Sequence, residues 1–190
     1  MSDPKERLLR ELEAIDAAAS TAPTETSAPY APSELRARLL DSARTTHRFE
    51  DVLAQIAKDA DLSEDATAAL LLAIDEPSRW SPGPMPGLSL LHFDGGPKTA
   101  GAITGFVRIE PGARFPEHDH GGEEIGVILQ GQLRDTATGR LHGRGDRLVH
   151  HPGTEHALEA VSRIPVIYLA IAHVGVVLGG QLIGPEDARL

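Results

Sequence analysis

Two histidines and a glutamate near the middle of the chain have the types and the spacing of metal ligands. His118 and His120 are two residues apart, so on a β-strand both imidazoles project from the same face. Glu124 follows Gly121 and Gly122, where the chain can bend and return a carboxylate to that face. Two imidazoles and one carboxylate on neighbouring strands are typical of a site for a divalent metal ion.

A fourth ligand is available further along the chain. His156 follows a turn at Pro152-Gly153, and with it the set contains three nitrogen donors and one oxygen donor. A single histidine on a strand is more often solvated or packed in a core, but the four residues together predict ligation. Such a set suits either a six-coordinate ion with open positions or a nearly closed tetrahedral zinc site, and the residues leave both open. His150 lies outside the pattern, and we expect it not to bind the metal.

The second half of the chain has the pattern of an all-β fold. Short β-prone runs occur at 88–93, 102–109, 124–133, 146–151 and 165–172. The segments between them are rich in Gly, Pro and Asp and show no helical periodicity. Such a series predicts a β-sandwich or barrel, and we place this domain at residues 81–190, after a turn-rich boundary at 81–87.

The first half of the chain has helical periodicity instead. Apolar residues recur at helical spacing in four segments: 6–19, 35–40, 49–60 and 68–74. Ser33 and Ser63 precede the second and the fourth of these as candidate N-caps, and 20–31 has the composition of a linker. Helices this short are marginal on their own. We therefore assign residues 1–80 to an N-terminal helical region that forms a subdomain or a dimerisation element.

Composition excludes several classes of function. The 190 residues include no Cys, which rules out disulfides, cysteine zinc sites and thiol nucleophiles. Lys and Arg number 18 against 28 Asp and Glu, for a net charge of −10, and no basic cluster predicts direct nucleic-acid binding. No segment has the pattern of a secretory signal, a membrane span, a nucleophile elbow or a phosphate-binding loop. We expect a cytoplasmic protein that does not bind membranes.

Strand alternation predicts what surrounds the metal. Glu123 should face away from Glu124 into solvent, whereas Gly126 and Ile128 should face inward with it. A glycine and an aliphatic residue beside the ion predict a small apolar pocket. Three further residues on strands could line the barrel, but we expect them to pack or lie on the surface: His92, Tyr168 and His173.

These residues resemble the motifs of the cupin superfamily. The first motif is matched in full by Gly112, His118, His120, Glu124 and Gly131, and the second is matched by Gly145, Gly153 and His156. Two positions depart from the second motif, where His151 replaces the usual Pro and Ala160 the usual Asn. The resemblance implies a double-stranded β-helix, the jelly-roll barrel of cupins, with the ion inside it. It also implies the same four ligands, His118, His120, Glu124 and His156.

A more specific resemblance is to the cupin domain of ChrR-type anti-sigma factors, over residues 77–175. It is carried by FPEHDHGGEEIGVILQGQLRD at 115–135, by GRGD at 143–146 and by the approach from Trp80 to Leu88. In that family the cupin domain binds zinc and helps to sense oxidative stress, while an N-terminal helical domain sequesters a sigma factor. That helical domain normally has a zinc signature of one His and two Cys, which this cysteine-free chain lacks.

Three functions follow as hypotheses. The first is a metal-binding cupin with a ChrR-like sensory or transcription-regulatory role, whose acidic helical region contacts a sigma-factor-like partner. The second is a metalloenzyme such as an Fe(II) dioxygenase acting on a small organic substrate. In the third, the ion only stabilises the barrel. For all three we expect one divalent metal ion, zinc first with iron, manganese or nickel as alternatives, in a homodimer.

Overall fold

The computed structural model describes residues 48–185 and 187. In this part of the chain, two antiparallel six-stranded sheets follow two α-helices, which confirms the expected cupin jelly roll with helices ahead of it. The segments predicted as helices at 6–19 and 35–40, and the linker predicted at 20–31, lie outside the described residues.

Two helices precede the sheets: α1 at Glu50–Ala60 and α2 at Glu64–Ala73. Helix α1 begins with two acidic residues, which interact favourably with the positive end of the helix dipole. Its C-cap, Asp61, adopts the left-handed conformation. Ser63 caps α2 as predicted, since its Oγ accepts the backbone N–H of Ala66 at 3.2 Å. Short 3₁₀ turns lie at Pro77–Arg79 and Pro97–Thr99. None of the helices in residues 48–185 combines the length and the apolar character that crossing a bilayer requires.

The strands in the described part of the chain are β1 Ser81–Pro82, β2 Leu88–His92, β3 Ala102–Ile109, β4 Arg114–His120, β5 Glu124–Gln130, β6 Gln132–Asp135, β7 Leu141–Gly143, β8 Arg147–His150, β9 Glu155–Ala160, β10 Val166–His173, β11 Val176–Leu178 and β12 Gln181–Ile183. Between β3 and β10 the chain crosses repeatedly from one sheet to the other. The first sheet has the order β1-β2-β3-β10-β5-β8, and the second has the order β12-β11-β4-β9-β6-β7. The ligand-bearing strands are thus divided between two sheets that face each other.

The run predicted at 124–133 is two strands and not one. Gly131 has φ 77°, and the chain turns there from β5 in the first sheet to β6 in the second. A Cβ at this position would lie 2.8 Å from Ser162 Oγ and 3.0 Å from the carbonyl oxygen of Pro165, so only glycine fits. Strand β4, at Arg114–His120, is not among the β-prone runs expected above, although His118 and His120 were placed on a strand.

The central strands of the first sheet, β3, β10 and β5, are largely buried on both faces. The outer face of this sheet packs against α1 and α2 in one hydrophobic cluster, whose fully buried members include Phe49, Ile56, Leu71, Phe106 and Leu169. Ion pairs also join α1 to the barrel, from Arg144 to Asp51 and from Arg147 to Asp59. The helices therefore share a core with the sheet that positions Glu124. The division of the chain between residues 80 and 81 stays a prediction.

Candidate metal centre

The four predicted ligands meet inside the barrel. Strand β4 carries His118 and His120, β9 carries His156, and β5 of the facing sheet carries Glu124. A bulge in β4 after Phe115 sets the register that pairs His118 directly with His156. All four side chains are buried, and one possible ligand atom from each lies within 4.8 Å of the others.

The distances within the group are those of donor atoms turned toward one point. Nε2 of His118 lies 3.2 Å from Nε2 of His156. Oε2 of Glu124 lies 3.5 Å from Nε2 of His120 and 3.9 Å from Nε2 of His118. The imidazoles thus present the same ring nitrogen to a shared position, with the carboxylate beside them.

Hydrogen bonds on the far side of each ring fix the tautomer of all three histidines. Each Nδ1 has an oxygen partner that is a carbonyl or a carboxylate, and such an oxygen only accepts. Nδ1 therefore carries the proton and Nε2 keeps a lone pair, the form in which an imidazole binds a metal. The three bonds run from His118 to Pro116 O at 2.9 Å, from His120 to Thr154 O at 2.7 Å and from His156 to Asp135 Oδ2 at 3.2 Å.

Burial keeps the three imidazoles neutral. Loss of solvation, reinforced by neighbouring histidines, lowers the pKa of His118 to about 4 and that of His156 to about 3. The pKa of His120 is lowered for the same main reason. Burial raises the pKa of the Glu124 carboxyl to about 7. Its short distances to the histidines are therefore not ion pairs, because the rings carry no charge at neutral pH.

The donor set fits a divalent cation. The facing Nε2 lone pairs of His118 and His156 have no proton between them, so the two atoms repel at their separation. Nε2 of His120 is buried and has no hydrogen-bond partner among the described residues. A cation among these atoms would satisfy all three nitrogens and neutralise the buried Glu124 carboxylate.

Asp135 is a site residue that the sequence reasoning missed. Its Oδ1 accepts the backbone N–H groups of Ala137 and Thr138, each at 2.9 Å, which leaves Oδ2 for His156. Burial opposes ionisation, but the hydrogen bonds from Thr138 and His156 outweigh it and lower the pKa of Asp135. The available signal was an Asp followed by Thr-Ala-Thr, which is typical of a side chain that bonds its own turn.

His150 lies against the ligand rings. Its imidazole stacks on that of His120, with centroids 5.0 Å apart and planes at 7°, and its centroid is 3.9 Å from that of His156. Together with Asp135 and His156 it forms a second group whose possible ligand atoms lie within 4.8 Å of one another. Our expectation that His150 stays outside the ligand set remains a prediction.

An apolar cavity of about 240 Å³ adjoins His118 and Glu124 inside the barrel. The other residues that line it are Pro84, Leu90, His92, Ile103, Gly105, Phe106, Val107, Phe115, Tyr168, Ala170, Ala172, Val176, Leu178 and Ile183. Glu123 is exposed, as predicted. The expected apolar pocket is present, but Gly126 and Ile128 are not among the residues that line it, and Ile128 packs in the core instead.

Comparisons with solved structures bear on the fold. The crystal structure of Rhodobacter sphaeroides SigE in complex with the anti-sigma ChrR aligns with 85% of this chain and 76% of that chain, at 24% identity and a TM-score of 0.51. An acetylacetone dioxygenase from Acinetobacter johnsonii aligns with 60% of this chain and 85% of that chain, at 15% identity and a TM-score of 0.51. No curated protein matches the chain. At these identities the two structures establish the cupin-like fold.

The family is established by the sequence profile of the ChrR Cupin-like domain. The profile matches residues 69–174, more than half of the chain. The matched segment runs from α2 to the end of β10 and contains all four candidate ligands. The chain therefore belongs to the ChrR cupin-like domain family.

Proposed function

We propose that the protein binds one divalent metal ion through His118, His120, Glu124 and His156. Zinc is the first candidate because three nitrogens and one carboxylate suit it well, and iron, manganese and nickel are alternatives. The observation that carries the proposal is the convergence of three deprotonated Nε2 atoms and one carboxylate oxygen in a buried site.

The residues of the chain prepare the site before any ion binds. The fixed tautomers orient the rings, and Asp135 makes the His156 imidazole a stronger ligand by accepting a hydrogen bond from its Nδ1–H. When bound, such an ion supplies Lewis acidity and, if it is iron or manganese, redox chemistry. Apart from this, the protein contributes three neutral imidazoles, one carboxylate and a buried surrounding.

The biological role that we propose is ChrR-like sensing or transcription regulation in the cytoplasm, exerted through a protein partner and in a homodimer. Family membership supports it, as does the likeness to a structure in which ChrR is bound to a sigma factor. Seven of the ten net negative charges fall in residues 1–80, and an acidic region suits a basic partner. With no Cys in the chain, partner binding would use a surface other than a cysteine zinc site.

Metal content tests the ligand assignment. Full-length protein purified without added metal should contain close to one ion per chain by elemental analysis, and His118→Ala or Glu124→Ala should abolish it. His151→Ala, at an exposed histidine near the site, is the matched control and should keep the ion. His150→Ala should also keep it. Folded wild-type protein that takes up no divalent metal would refute the site.

The regulatory role needs a separate test. Tagged full-length protein recovered from its native host should bring down a sigma factor, and deletion of the gene should change transcription of that factor's targets. Recovery of no sigma factor, together with an unchanged transcript profile, would reject this role and leave the metal site untouched.

A metal-dependent oxygenase is the second candidate. The observation in its favour is the apolar cavity, which reaches two of the proposed ligands, His118 and Glu124. Fe(II)-loaded protein should then consume oxygen with some member of a panel of diketones, thiols and small acids. Absence of consumption across the panel, with iron bound at one ion per chain, would rule against this reaction.

A further inference from the structure

The four proposed ligands border two different surroundings. His118 and Glu124 line the apolar cavity, whereas His120 and His156 are not among the described residues that line it. The rings of His120 and His156 instead contact the imidazole of His150, with centroids 5.0 Å and 3.9 Å away. An ion can therefore reach the four-ligand site either through the cavity or past His150.

The cavity is a poor route for a cation. Glu124 is the single carboxylate among the described residues that line it, and most of the others are aliphatic or aromatic. A hydrated divalent ion that crossed this space would lose water ligands and meet few donors before it reached the site. Entry through the cavity therefore carries a desolvation cost.

The path past His150 consists of side chains that bind metals. Together with Asp135 and His156, His150 forms a group whose possible ligand atoms all lie within 4.8 Å of one another. His150 is half-buried, whereas Asp135 and His156 are each only 3% exposed. One carboxylate and two imidazoles are donors that zinc accepts. The group thus leads from a partly exposed histidine to a ligand of the four-ligand site.

Further histidines lie near the partly exposed end of this group. Burial is the main cause that lowers the pKa of His150 to about 4, so its ring is neutral and can act as a ligand. His142 and His151 lie close enough to contribute to the same shift. His142 is half-buried and His151 is exposed. Imidazoles therefore continue from the surface to the proposed metal position.

We propose that Asp135, His150 and His156 form a second metal-binding position, which a divalent ion occupies on its way to and from the four-ligand site. His156 belongs to both groups, so an ion at the second position can acquire the inner ligands without leaving the protein. The shared ligand also keeps the content at one ion per chain. The inference rests on the proposed metal site and goes beyond it by assigning the route of metal exchange.

Rates of metal uptake and release test this route. Metal-free full-length protein is mixed with Co²⁺, whose visible absorption reports ligation, and loaded protein is mixed with excess chelator. His150→Ala and His150→Phe should slow uptake and release by the same factor, about 10–100-fold, the range in which loss of a supporting residue lowers the affinity of a metal site. The equilibrium affinity should not change, because a residue that acts only along the route affects the forward and reverse steps equally.

The two substitutions distinguish a transient ligand from a steric block. Phe keeps a ring that can stack on His120, whereas Ala opens space, so a His150 that only obstructs the path would give faster uptake in His150→Ala. His92→Phe is the matched control, because His92 lines the apolar cavity, and it should leave both rates unchanged. Thermal unfolding of each metal-free variant establishes that the compared proteins are folded.

A titration tests the second position by itself. The double variant His118→Ala/Glu124→Ala lacks two of the proposed ligands and should not retain metal through purification. It should still bind added Zn²⁺ weakly in calorimetry, because Asp135, His150 and His156 are all present. Adding His150→Phe to this variant should remove the weak binding, whereas adding His92→Phe should not.

The outcomes separate this inference from the metal site. Folded wild-type protein that takes up no divalent ion would refute the proposed function, and the inference with it. One ion per chain, with equal uptake rates in wild type and both His150 variants, would refute the route alone. A lowered equilibrium affinity in both His150 variants would make His150 a ligand of the final site and would also overturn the route. So would slower uptake in His92→Phe, or a double variant that binds no zinc.

Discussion

The two faces of the first sheet use the same strands for different purposes. On β5, Ile125, Val127 and Leu129 face the helices, whereas Glu124 and Gly126 face the barrel interior. The outer residues are large and fill a close-packed core, while the inner ones are a ligand and a residue without a side chain. Alternation along β5 thus places the ligand on one face and the core against the helices on the other, while Ile128 belongs to a second core inside the barrel.

Neighbouring residues on β10 should show this separation most strongly. Leu169 is fully buried on the outer face, next to Ala170 on the inner face. Leu169→Ala should destabilise the protein by about 2–5 kcal/mol, the usual loss when a core leucine is removed. Urea unfolding measures the loss, and elemental analysis should still find the metal in the folded fraction. A folded variant without metal would show that the two faces are not independent.

The inner face should respond to pH in a way that the outer face cannot. In metal-free protein the pKa of Glu124 is about 7, against 4.5 as its ordinary value. The native state therefore binds this proton more tightly, and the resulting stability is present below pH 4.5 and is lost as the pH rises through 7. Glu124→Gln should be more stable than wild type above pH 7 when both are metal-free, by up to ~3 kcal/mol.

Bound metal should reverse the order of stability of wild type and Glu124→Gln. Wild-type protein should gain thermal stability when zinc is added at pH 8, because the cation stabilises the carboxylate, whereas Glu124→Gln should gain little. Lowered pKa values of the histidines reduce the stability of both proteins as the pH falls from 6.5 toward 4, so the comparison belongs above pH 7. If metal-free Glu124→Gln were less stable than metal-free wild type at pH 8, the inference that burial destabilises the Glu124 carboxylate would be contradicted.

Local sequence patterns predicted the candidate ligands. They could not predict contacts between residues that are distant in the sequence. His118 and His120 share a face because of their spacing, which the sequence displays directly. The bond from His156 to Asp135 joins residues 21 apart on different strands, so no local pattern contains it. For α1 and α2, the helical spacing of apolar residues predicted a buried face but not that the first sheet covers it.

Asp135, on β6 of the second sheet, contributes to the site through its hydrogen bond with His156 and is not itself a proposed ligand of the four-ligand site. Asp135→Asn keeps the shape but replaces a carboxylate partner of His156 Nδ1 by a neutral amide, so we expect metal affinity to fall about 10–100-fold. Competition with a chelator measures the affinity. Glu159→Gln, at a partly exposed carboxylate on β9, is the control and should leave it unchanged. An unaltered affinity in Asp135→Asn would mean that His156 needs no anionic partner.

Thr104 is a buried polar exception on the outer face of the first sheet, and its substitution should give the smallest effect. Thr104 is buried there by strand alternation with Ala102 and Phe106, and its hydroxyl has no hydrogen-bond partner among the described residues. Thr104→Val replaces that hydroxyl by a methyl group of similar size, so it should stabilise the protein by about 1 kcal/mol in urea unfolding.

Thr67→Val is the matched control, because this buried threonine donates its hydroxyl to the carbonyl oxygen of Ser63 at 2.9 Å. Losing that bond should cost about 1 kcal/mol, which gives the two substitutions opposite signs. Metal content should not change in either variant. If Thr104→Val instead lowered stability as Thr67→Val does, the Thr104 hydroxyl would have a partner in solution, and the outer face would not be purely a packing surface.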